Sequence, residues 1–439
     1  MIIMKFGGTS VGNTKMIVKL TEIVKKKLPE NPIVVVSAFS GITNLLIELA
    51  ESAVKKKLTD NTFNKIINKH YEIITDLGID KEVISKEVKQ LNDLIMGISI
   101  LQELTPRIMD NLLSFGERMS ARIIAAYMLN IGLQAKAYDA FDIGMITTSE
   151  FGNADILEDS YTAIKNHLSD LNHLPIITGF IGKDKEGRIT TLGRGGSDYT
   201  ATIIGAAMHA KAIEIWTDVD GIMTADPHIV KNAKSIDTLS SDEASELAFL
   251  GAKVLHPKTI LPAMKMKIPV HVLNTFNPSH VGTIVSDKLP KNNGRIVSIT
   301  YKKGISVINI STPRMFEVHG FLKKIFEIFD RNDISVDMVS TSEINVSVTI
   351  DGDQKTSKLE TELSKISDIY IKKDRTIVSL VGHNISYVPR ILSMMFSALG
   401  DIPIEMISSS MSEINQSFVV KDEHAEEAIR RLHAVFFGD

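Results

Sequence analysis

The sequence predicts an α/β fold, a three-layer sandwich built on a mainly parallel sheet, followed by two small α+β modules. Short apolar runs rich in β-branched residues alternate with helical patterns through the first two-thirds of the chain, which is the rhythm of βαβ units. The last third repeats one pattern at a spacing of about 70 residues. We therefore expect one large domain and a tandem pair of small ones.

The elements of the large domain follow in order. Residues 2–6 and 33–36 are predicted strands, with a helix over 13–27 between them. The run at 174–178 is another strand, and like 33–36 it is apolar on both faces, as expected where helices cover both sides of a sheet. Three amphipathic patterns predict a helical excursion from the sheet, over residues 45–57, 64–75 and 82–103.

Turn-forming and charged residues at 287–294 are the expected end of the large domain, 1–294. The modules that follow are expected at 299–372 and 373–439. Because each small unit alone buries little core, we expect the two to pack together.

The internal repeat itself is visible in the letters. The pattern of residues 333–340 recurs at 401–408, and Ser-Glu-Ile-Asn at 342–345 recurs unchanged at 412–415. Each copy is predicted to run strand, turn, helix, strand, turn, strand. A regulatory role and a purely structural role in an oligomer interface both fit this pattern.

The composition narrows the class of protein. At 439 residues, 44% hydrophobic and 23% charged, the chain is typical of a globular protein of about three domains. A net charge of −4 without a long basic run gives no indication of nucleic-acid or membrane binding. The absence of cysteine excludes disulfides, thiolate metal sites and cysteine nucleophiles. No export signal or run of about 18 apolar residues occurs, so a cytoplasmic protein is expected.

The first motif with chemistry is Lys-Phe-Gly-Gly-Thr-Ser at 5–10, between a strand and a helix. Its glycines let the backbone approach a ligand, and its amides and the Lys5 ammonium attract an anion. The spacing fits neither GxxxxGK[ST] nor GxGxxG. The motif indicates a phosphate-binding turn, with an ordinary tight turn as the alternative.

The second motif is Gly-Arg-Gly-Gly-Ser-Asp-Tyr-Thr at 193–200. Arg194 can grip a carboxylate or phosphate through two hydrogen bonds, and Ser197 or Asp198 can cap a helix that begins near Thr200. The alternative is that Arg194 is a solvated loop residue and that Asp198 only caps the helix, without binding a ligand.

A third loop, 216–227, follows an apolar strand at 212–216 and carries three carboxylates. It lacks the bidentate glutamate of an EF-hand, and simple Asx turns would also explain it. Loops after strands are, however, where α/β sheets bind ligands. Glu117 could pair with an ammonium group and Lys253 with phosphate, or both could be surface charges. The 12 histidines show no metal-ligand spacing.

Together and in this order, the motifs resemble the aspartate kinases, which join an amino acid kinase domain to two ferredoxin-like ACT domains. The resemblance covers essentially the whole chain and rests on residues 5–11, 36–44, 114–117, 193–200, 216–227 and 251–257. It implies ATP- and Mg²⁺-dependent phosphorylation of the β-carboxylate of L-aspartate to 4-phospho-L-aspartate, at the start of lysine, threonine and methionine biosynthesis.

The resemblance also implies roles for individual residues. Those expected to be catalytic are Lys5, Asp198 and Lys253. Those expected to bind ATP are Lys5, Gly7, Gly8, Thr217, Asp218 and Lys253, the two glycines donating their amides to the transferred phosphoryl group. Those expected to bind aspartate are Ser37, Thr43, Glu117, Arg194, Ser197 and Asp198. An aspartate carboxylate is ionised near pH 7 and needs no general base, so the lack of a catalytic histidine is expected.

Two positions, one in the third loop and one directly after it, depart from the family pattern. Met223 stands where a tyrosine is usual, and His228 where an arginine is usual. These departures concern contacts to the nucleotide and not the reaction.

For the repeat, the resemblance implies feedback inhibition by lysine and a homodimer joined at the ACT modules, with a tetramer as an alternative. The expected effector-site residues are Met315, Val318, Gly320, Phe321, Leu322, Ser335, Val336, Asp337, Ser342 and Glu343, of which the two acids would face an ammonium group. In this family a C-terminal strand can return to complete the first module. The rival functions are acetylglutamate, glutamate or uridylate kinase, and a non-catalytic amino-acid sensor.

Overall fold

The computed structural model describes residues 1–56, 59–251, 255–286, 294–311, 320–409 and 413–438. The chain divides into two compact units. We call Met1–Ile222, Asp237–Ser241 and Val254–Leu289 the N-terminal unit, and Met223–Ile236, Asp242–Lys253 and Pro290–Asp439 the C-terminal unit. The C-terminal unit thus includes two segments from within the first 294 residues.

The N-terminal unit alternates strands and helices. Its strands are β1 (Ile2–Phe6), β2 (Pro32–Val36), β3 (Ala135–Tyr138), β4 (Leu174–Thr178), β5 (Ile181–Lys183), β6 (Ile189–Thr191), β7 (Ile213–Thr217), β8 (Thr238–Leu239), β9 (Val270–Asn274) and β10 (Thr283–Val285). Its helices are α1 (Thr14–Lys27), α2 (Ile42–Val54), α3 (Asp60–Asp76), α4 (Ser85–Leu101), α5 (Pro106–Asn130), α6 (Asp159–Leu168), α7 (Gly196–Ala207) and α9 (Pro257–Lys265). Between the last two, α8 (Ser241–Phe249) lies in the C-terminal unit except for its first residue.

Eight strands form one sheet in the order β3-β4-β2-β1-β7-β9-β10-β8, and all neighbours are parallel except β9 and β10. Strands β1, β2 and β4 are buried along their whole length, because helices cover the sheet. The predicted parallel α/β sheet is confirmed. Phe6 is in register with Val36 and Trp216, so the carboxyl ends of the central strands meet at one edge.

The helical excursion over α2, α3 and α4 is confirmed, with shifted limits. Helix α2 begins at Ile42, three residues ahead of the amphipathic pattern at 45–57, because Gly41 at φ 81° turns the chain directly into the helix. Residues 81–84 form a separate 3₁₀ turn before α4 begins at Ser85. No helix within the described residues has both the length and the apolar character to cross a membrane.

The C-terminal unit carries an antiparallel sheet of six strands in the order β12-β13-β11-β14-β16-β15. These are β11 (Arg295–Ser311), β12 (Val339–Thr341), β13 (Asn345–Asp351), β14 (Asp368–His383), β15 (Met406–Ser409) and β16 (Asn415–Lys421). Its helices are α10 (Phe321–Arg331), α11 (Ser357–Leu363), α12 (Ile391–Leu399) and α13 (Asp422–Phe437).

The two repeats exchange their long strands. The second half of β11 pairs with β13, while its first half pairs with the second half of β14, which pairs with β16. Accordingly Ile308 belongs to a core with α10 and α11, and Ile299 to a separate core with α12 and α13. The expected division between residues 372 and 373 falls inside β14.

Each repeat contains a second helix that the sequence pattern did not predict, α11 in the first and α13 in the second. Ala425, Ala428, Ile429 and Leu432 are buried at helical spacing, which places the C-terminal segment against the core as a helix. The last strand of the described residues, β16, pairs with β14 and β15 and is followed by α13.

Candidate active site

An open cleft of about 560 Å³ lies at the carboxyl ends of the central strands of the N-terminal unit. This is where open α/β sheets bind ligands. The predicted site residues that line it are Lys5, Gly7, Gly8, Ser37, Thr43, Glu117, Ser197, Asp198, Thr217 and Asp218. Segments that are distant in sequence, including β1, α5, α7 and β7, thus contribute to one cleft.

Lys5 and Asp198 form an ion pair at the base of the cleft. Lys5 lies near the end of β1 and is 8% exposed, and its Nζ is 2.6 Å from Oδ1 of Asp198 in the first turn of α7. The prediction that Ser197 or Asp198 caps a helix starting near Thr200 is wrong. The helix begins at Gly196, because Gly195 at φ 70° occupies the cap position, and no side chain caps it. The Asp198 carboxylate is used for the ion pair instead.

The turn at Gly7 and Gly8 brings backbone close to the cleft. A Cβ on Gly8 would lie 3.1 Å from the carbonyl oxygen of Ala38, so this approach requires glycine. The Gly7 amide donates to the carbonyl of Trp216 at 3.2 Å and belongs to the sheet. Of the two expected amide donors, Gly8 is the one with no backbone acceptor in the described part of the chain.

Glu117 reaches the cleft from the middle of α5. Its Oε1 accepts a hydrogen bond of 3.1 Å from the amide of Ala38, and its Oε2 is buried without a partner among the described residues. Burial raises the pKa of this carboxyl to about 8. Gly116 permits the approach, since a Cβ there would lie 2.7 Å from that of Ala38. An unpartnered carboxylate oxygen facing a cleft is suited to a cationic ligand group.

The hydroxyl groups of the site are linked to one another. The hydroxyl of Ser37 donates to that of Ser197 at 3.0 Å, and Ser120 donates to the carbonyl of Ser37 at 2.8 Å. Thr43 lies in the first turn of α2 at the rim. These contacts fix the loop after β2 against the start of α7.

Arg194 lies between two cleft residues, Gly193 and Gly195, and its side chain is exposed. The two glycines have φ angles of 75° and 70°, which form the tight turn that presents the arginine. Its guanidinium makes no hydrogen bond or ion pair with any of the described residues. It is therefore available to an anionic ligand.

The third loop is divided between the units. Thr217 and Asp218 line the cleft, and the threonine hydroxyl donates to the Asp218 carboxylate at 3.2 Å. Residues 223–236 belong to the C-terminal unit. There Asp226 accepts from the amide of His228 at 2.9 Å and from the hydroxyl of Tyr301 at 3.0 Å. The ring of His228, one of the departures from the family pattern, is exposed.

Three predicted site residues lie outside the described residues: Lys253, Met315 and Val318. Of the other expected effector residues, Ser335, Ser342, Glu343 and Leu322 are exposed, Val336 is half-buried, and Phe321 is buried at the start of α10 after Gly320. Asp337 is occupied: its carboxylate lies 2.8 Å from the Lys302 ammonium, which also contacts Asp351 at 2.7 Å. Asp337, which was expected to bind the ammonium group of an effector, thus binds the ammonium group of Lys302 in the same chain.

The cleft also includes residues to which the motifs assigned no role, such as Thr9, Ser40, Asn44 and Phe180. Phe180 follows the end of β4, the strand beside β2, and adopts a φ of 69°. Because β4 lies next to β2, the residues after β4 are brought into the cleft. The order of strands in a sheet cannot be deduced from local sequence patterns, so Phe180 was not predicted as a site residue. No group of three or more metal-ligating side chains occurs in the described ranges.

Comparisons with known proteins extend over the whole chain. Residues 1–274 match the Amino acid kinase family, and residues 308–357 and 378–436 match the ACT domain. Aspartokinase 1, chloroplastic, from Arabidopsis thaliana is 40% identical over 99% of this chain and 80% of its own length.

Solved structures agree with this result. Escherichia coli aspartokinase III in complex with aspartate and ADP, in its R-state, is 34% identical, with a TM-score of 0.87 over 100% of both chains. The same enzyme with lysine and aspartate, in its T-state, is 33% identical, with a TM-score of 0.80 over 100% of this chain and 99% of that one. With a parallel α/β sandwich, a cleft that collects the predicted motifs and a paired ACT sheet, the chain belongs to the aspartokinase family of amino acid kinases.

Proposed function

We propose that the protein transfers the γ-phosphoryl group of ATP to the β-carboxylate of L-aspartate, giving 4-phospho-L-aspartate and ADP. The observation that carries this proposal is the joint position in one cleft of the Lys5–Asp198 pair and the unpartnered carboxylate of Glu117. The E. coli relative solved with aspartate and ADP supports it. The reaction would be the first step of lysine, threonine and methionine biosynthesis.

On the acceptor side, the amino acid meets complementary charges. Glu117 and Asp198 face its ammonium group, and Arg194 grips its α-carboxylate. Because Glu117 Oε2 lacks a partner, an ammonium group gives this buried oxygen the contact it is missing. Ser37, Thr43 and Ser197 supply hydroxyl groups around the acceptor. The β-carboxylate is already ionised near pH 7 and attacks phosphorus directly.

On the donor side, Lys5 and Gly8 approach the phosphates, and Thr217 and Asp218 approach the nucleotide. The family resemblance alone assigns Lys253 to the phosphates. An oxygen of the β-carboxylate forms the new bond to the γ-phosphorus as the bond to the β,γ-bridging oxygen breaks, and ADP leaves with that electron pair. Two anions must come together, so the main contribution of Lys5 is to neutralise charge on the transferred group.

Mg²⁺ is the expected companion of ATP, and the cleft is compatible with it. Mg²⁺ in kinases is commonly held by one or two carboxylates together with phosphate oxygens, and does not need a cage of protein ligands. Asp218 is an exposed carboxylate at the cleft and would hold the ion. When bound, the ion spreads the negative charge of the phosphates.

We also propose that lysine inhibits the enzyme through the first ACT module and that the modules join two chains in a dimer. The E. coli enzyme solved with lysine supports the effector. Asp337 is half-buried in that module and already binds an ammonium group, that of Lys302, so its site has the right charge. The catalytic domain would occupy residues 1–294 and the two modules residues 299–372 and 373–439.

An ATP- and Mg²⁺-dependent hydroxamate assay tests the proposal, with L-aspartate, acetylglutamate and glutamate as acceptors and with or without lysine or threonine. We expect turnover on aspartate that lysine suppresses. Turnover on another acceptor alone would refute the substrate. No turnover on any acceptor, with thermal stabilisation by lysine, would indicate a non-catalytic sensor.

A further inference from the structure

Helix α5 carries a second buried carboxylate, two turns before Glu117. Asp110 is 1% exposed, and all its hydrogen bonds go to one neighbourhood. Its Oδ2 accepts hydrogen bonds from the backbone amides of Gly152 at 2.9 Å and Thr191 at 2.8 Å. Its Oδ1 accepts a hydrogen bond from the Thr191 hydroxyl at 2.8 Å. No cation pairs with it in the described part of the chain.

These bonds fix the two segments that frame the Arg194 turn. Thr191 is the last residue of β6, two positions before Gly193. Gly152 belongs to a loop whose next residue, Asn153, lies so close that a Cβ on Gly193 would be 2.5 Å from its Oδ1. Asp110 therefore fixes both segments that flank the Arg194 turn, the end of β6 and the loop at Gly152. A shift of either segment would move Arg194.

The opposite end of the same hairpin provides a contrast. Asp184, in the turn between β5 and β6, accepts two backbone amides and is also paired with Arg188 at 2.6 Å. Asp110 has no such cation, and burial raises the pKa of its carboxyl. An unpaired buried carboxyl group is a costly way to connect two loops, which is expected where geometry matters more than stability.

We propose that Asp110 is a positioning residue that fixes the Gly193–Arg194 turn, so that the guanidinium meets the α-carboxylate of the amino acid substrate. The inference rests on the proposed function of Arg194. Helix α5 then contributes twice to substrate binding. Glu117 contacts the ammonium group of the substrate directly, and Asp110 positions Arg194, which binds the α-carboxylate.

The proposal predicts different effects from two substitutions. In Asp110→Asn the amide oxygen can accept both backbone amides while its NH₂ group donates to the Thr191 hydroxyl, so the KM for aspartate should stay within about threefold of the wild-type value. Asp110→Leu removes every bond and should raise this KM at least tenfold, with the KM for ATP changed less than threefold. Thr191→Val, which removes one bond, should give an intermediate increase.

Asp184→Asn is the matched control: it should lower the melting temperature and leave both KM values unchanged. A double-mutant cycle supplies the readout that a purely structural role would not produce. If Asp110 acts through Arg194, then Asp110→Leu added to Arg194→Ala should raise the KM for aspartate no further, although the single effects would otherwise add.

The outcomes separate the two proposals. A wild-type enzyme without turnover on aspartate would refute the proposed function. An Arg194→Ala variant with an unchanged KM for aspartate would refute the role of Arg194 and, with it, the positioning role of Asp110. If Arg194→Ala raises the KM while Asp110→Leu does not, or if the two effects add, the positioning role is wrong. Should Asp110→Leu fail to fold, Thr191→Val in the same cycle decides the question by the same criteria.

Discussion

The ammonium of Lys5 lies 2.6 Å from the carboxylate of Asp198, so the base of the cleft carries a neutral pair of charges. One partner comes from the end of β1 and the other from the first turn of α7. In the proposed reaction the two residues serve different substrates, since Lys5 faces phosphate and Asp198 faces the amino acid. The pair keeps each charge partnered until ligands arrive and holds both side chains in place for them.

Replacing Lys5 with alanine should leave a folded protein with little activity. The charge on the transferred phosphoryl group would lose its nearest cation, and loss of one such contact typically lowers kcat by about 10²- to 10³-fold. Steady-state kinetics with a circular dichroism control tests this. A purified, folded Lys5→Ala variant with near-normal kcat would contradict the assigned role.

Glu117→Gln should stabilise the fold and abolish aspartate binding. The carboxyl has a pKa of about 8 in the folded protein and an ordinary value of 4.5 in the unfolded chain. Below pH 4.5 both states are protonated and the group has no effect on stability. As the pH rises from 4.5 to 8 the unfolded state releases its proton first, so stability falls, by about 3 kcal/mol at pH 7.

The glutamine variant lacks this pH dependence. Its melting temperature should exceed that of the wild type at pH 7 and match it near pH 4.5. Equal melting temperatures at pH 7 would show that the Glu117 carboxyl is not perturbed by burial. Isothermal titration with aspartate gives the second readout, for which we expect no detectable binding.

The same carboxyl predicts a pH dependence of substrate affinity. The ammonium group of aspartate pairs with the ionised form of Glu117, whose population grows as the pH approaches 8. The KM for aspartate should therefore fall from pH 6.5 to pH 8, whereas the KM for ATP should change little. A pH-independent KM for aspartate would indicate that another group holds the ammonium.

Much of the fold follows from local patterns, and the missed parts have physical reasons. The strands at 2–6 and 174–178 are short, apolar and bounded by turns, so their existence is evident from the sequence. The start of α7 was misplaced because Ser197 and Asp198 are typical caps, whereas Gly195 ends the turn earlier through a positive φ. The strand exchange between β11 and β14 depends on pairing over long sequence distances, for which local patterns hold no signal.

The site was predictable as a set of motifs but not as a set of contacts. The glycine-rich turns mark the cleft because close approach demands glycine, as at Gly8. The Lys5–Asp198 pair and the bonds of Asp110 join segments far apart in the chain. Such contacts require the sheet order, which the sequence does not state.

We expect the ammonium group of Lys302 to compete with a lysine effector for the carboxylate of Asp337. This ammonium group occupies Asp337, the carboxylate expected to bind a lysine ligand. In Lys302→Gln this carboxylate loses its internal partner, so a lower lysine concentration should give half-maximal inhibition. Asp337→Asn should raise that concentration, and Lys323→Gln, on the exposed face of α10, is the control. Equal sensitivity in Lys302→Gln and the wild type would rule out this competition.

The strand exchange in the C-terminal unit predicts that a substitution at the start of the first repeat damages the second. Ile299 lies in β11, ahead of α10, yet is buried in the core with α12 and α13, whereas Ile308 of the same strand is buried in the core with α10 and α11. Truncating either isoleucine to alanine should cost about 2–5 kcal/mol. Hydrogen exchange should show Ile299→Ala deprotecting the amides of α12 and α13 first, and Ile308→Ala those of α10. If both variants deprotected the same helices, the two cores would behave as one cooperative unit and the division into two modules would have no energetic meaning.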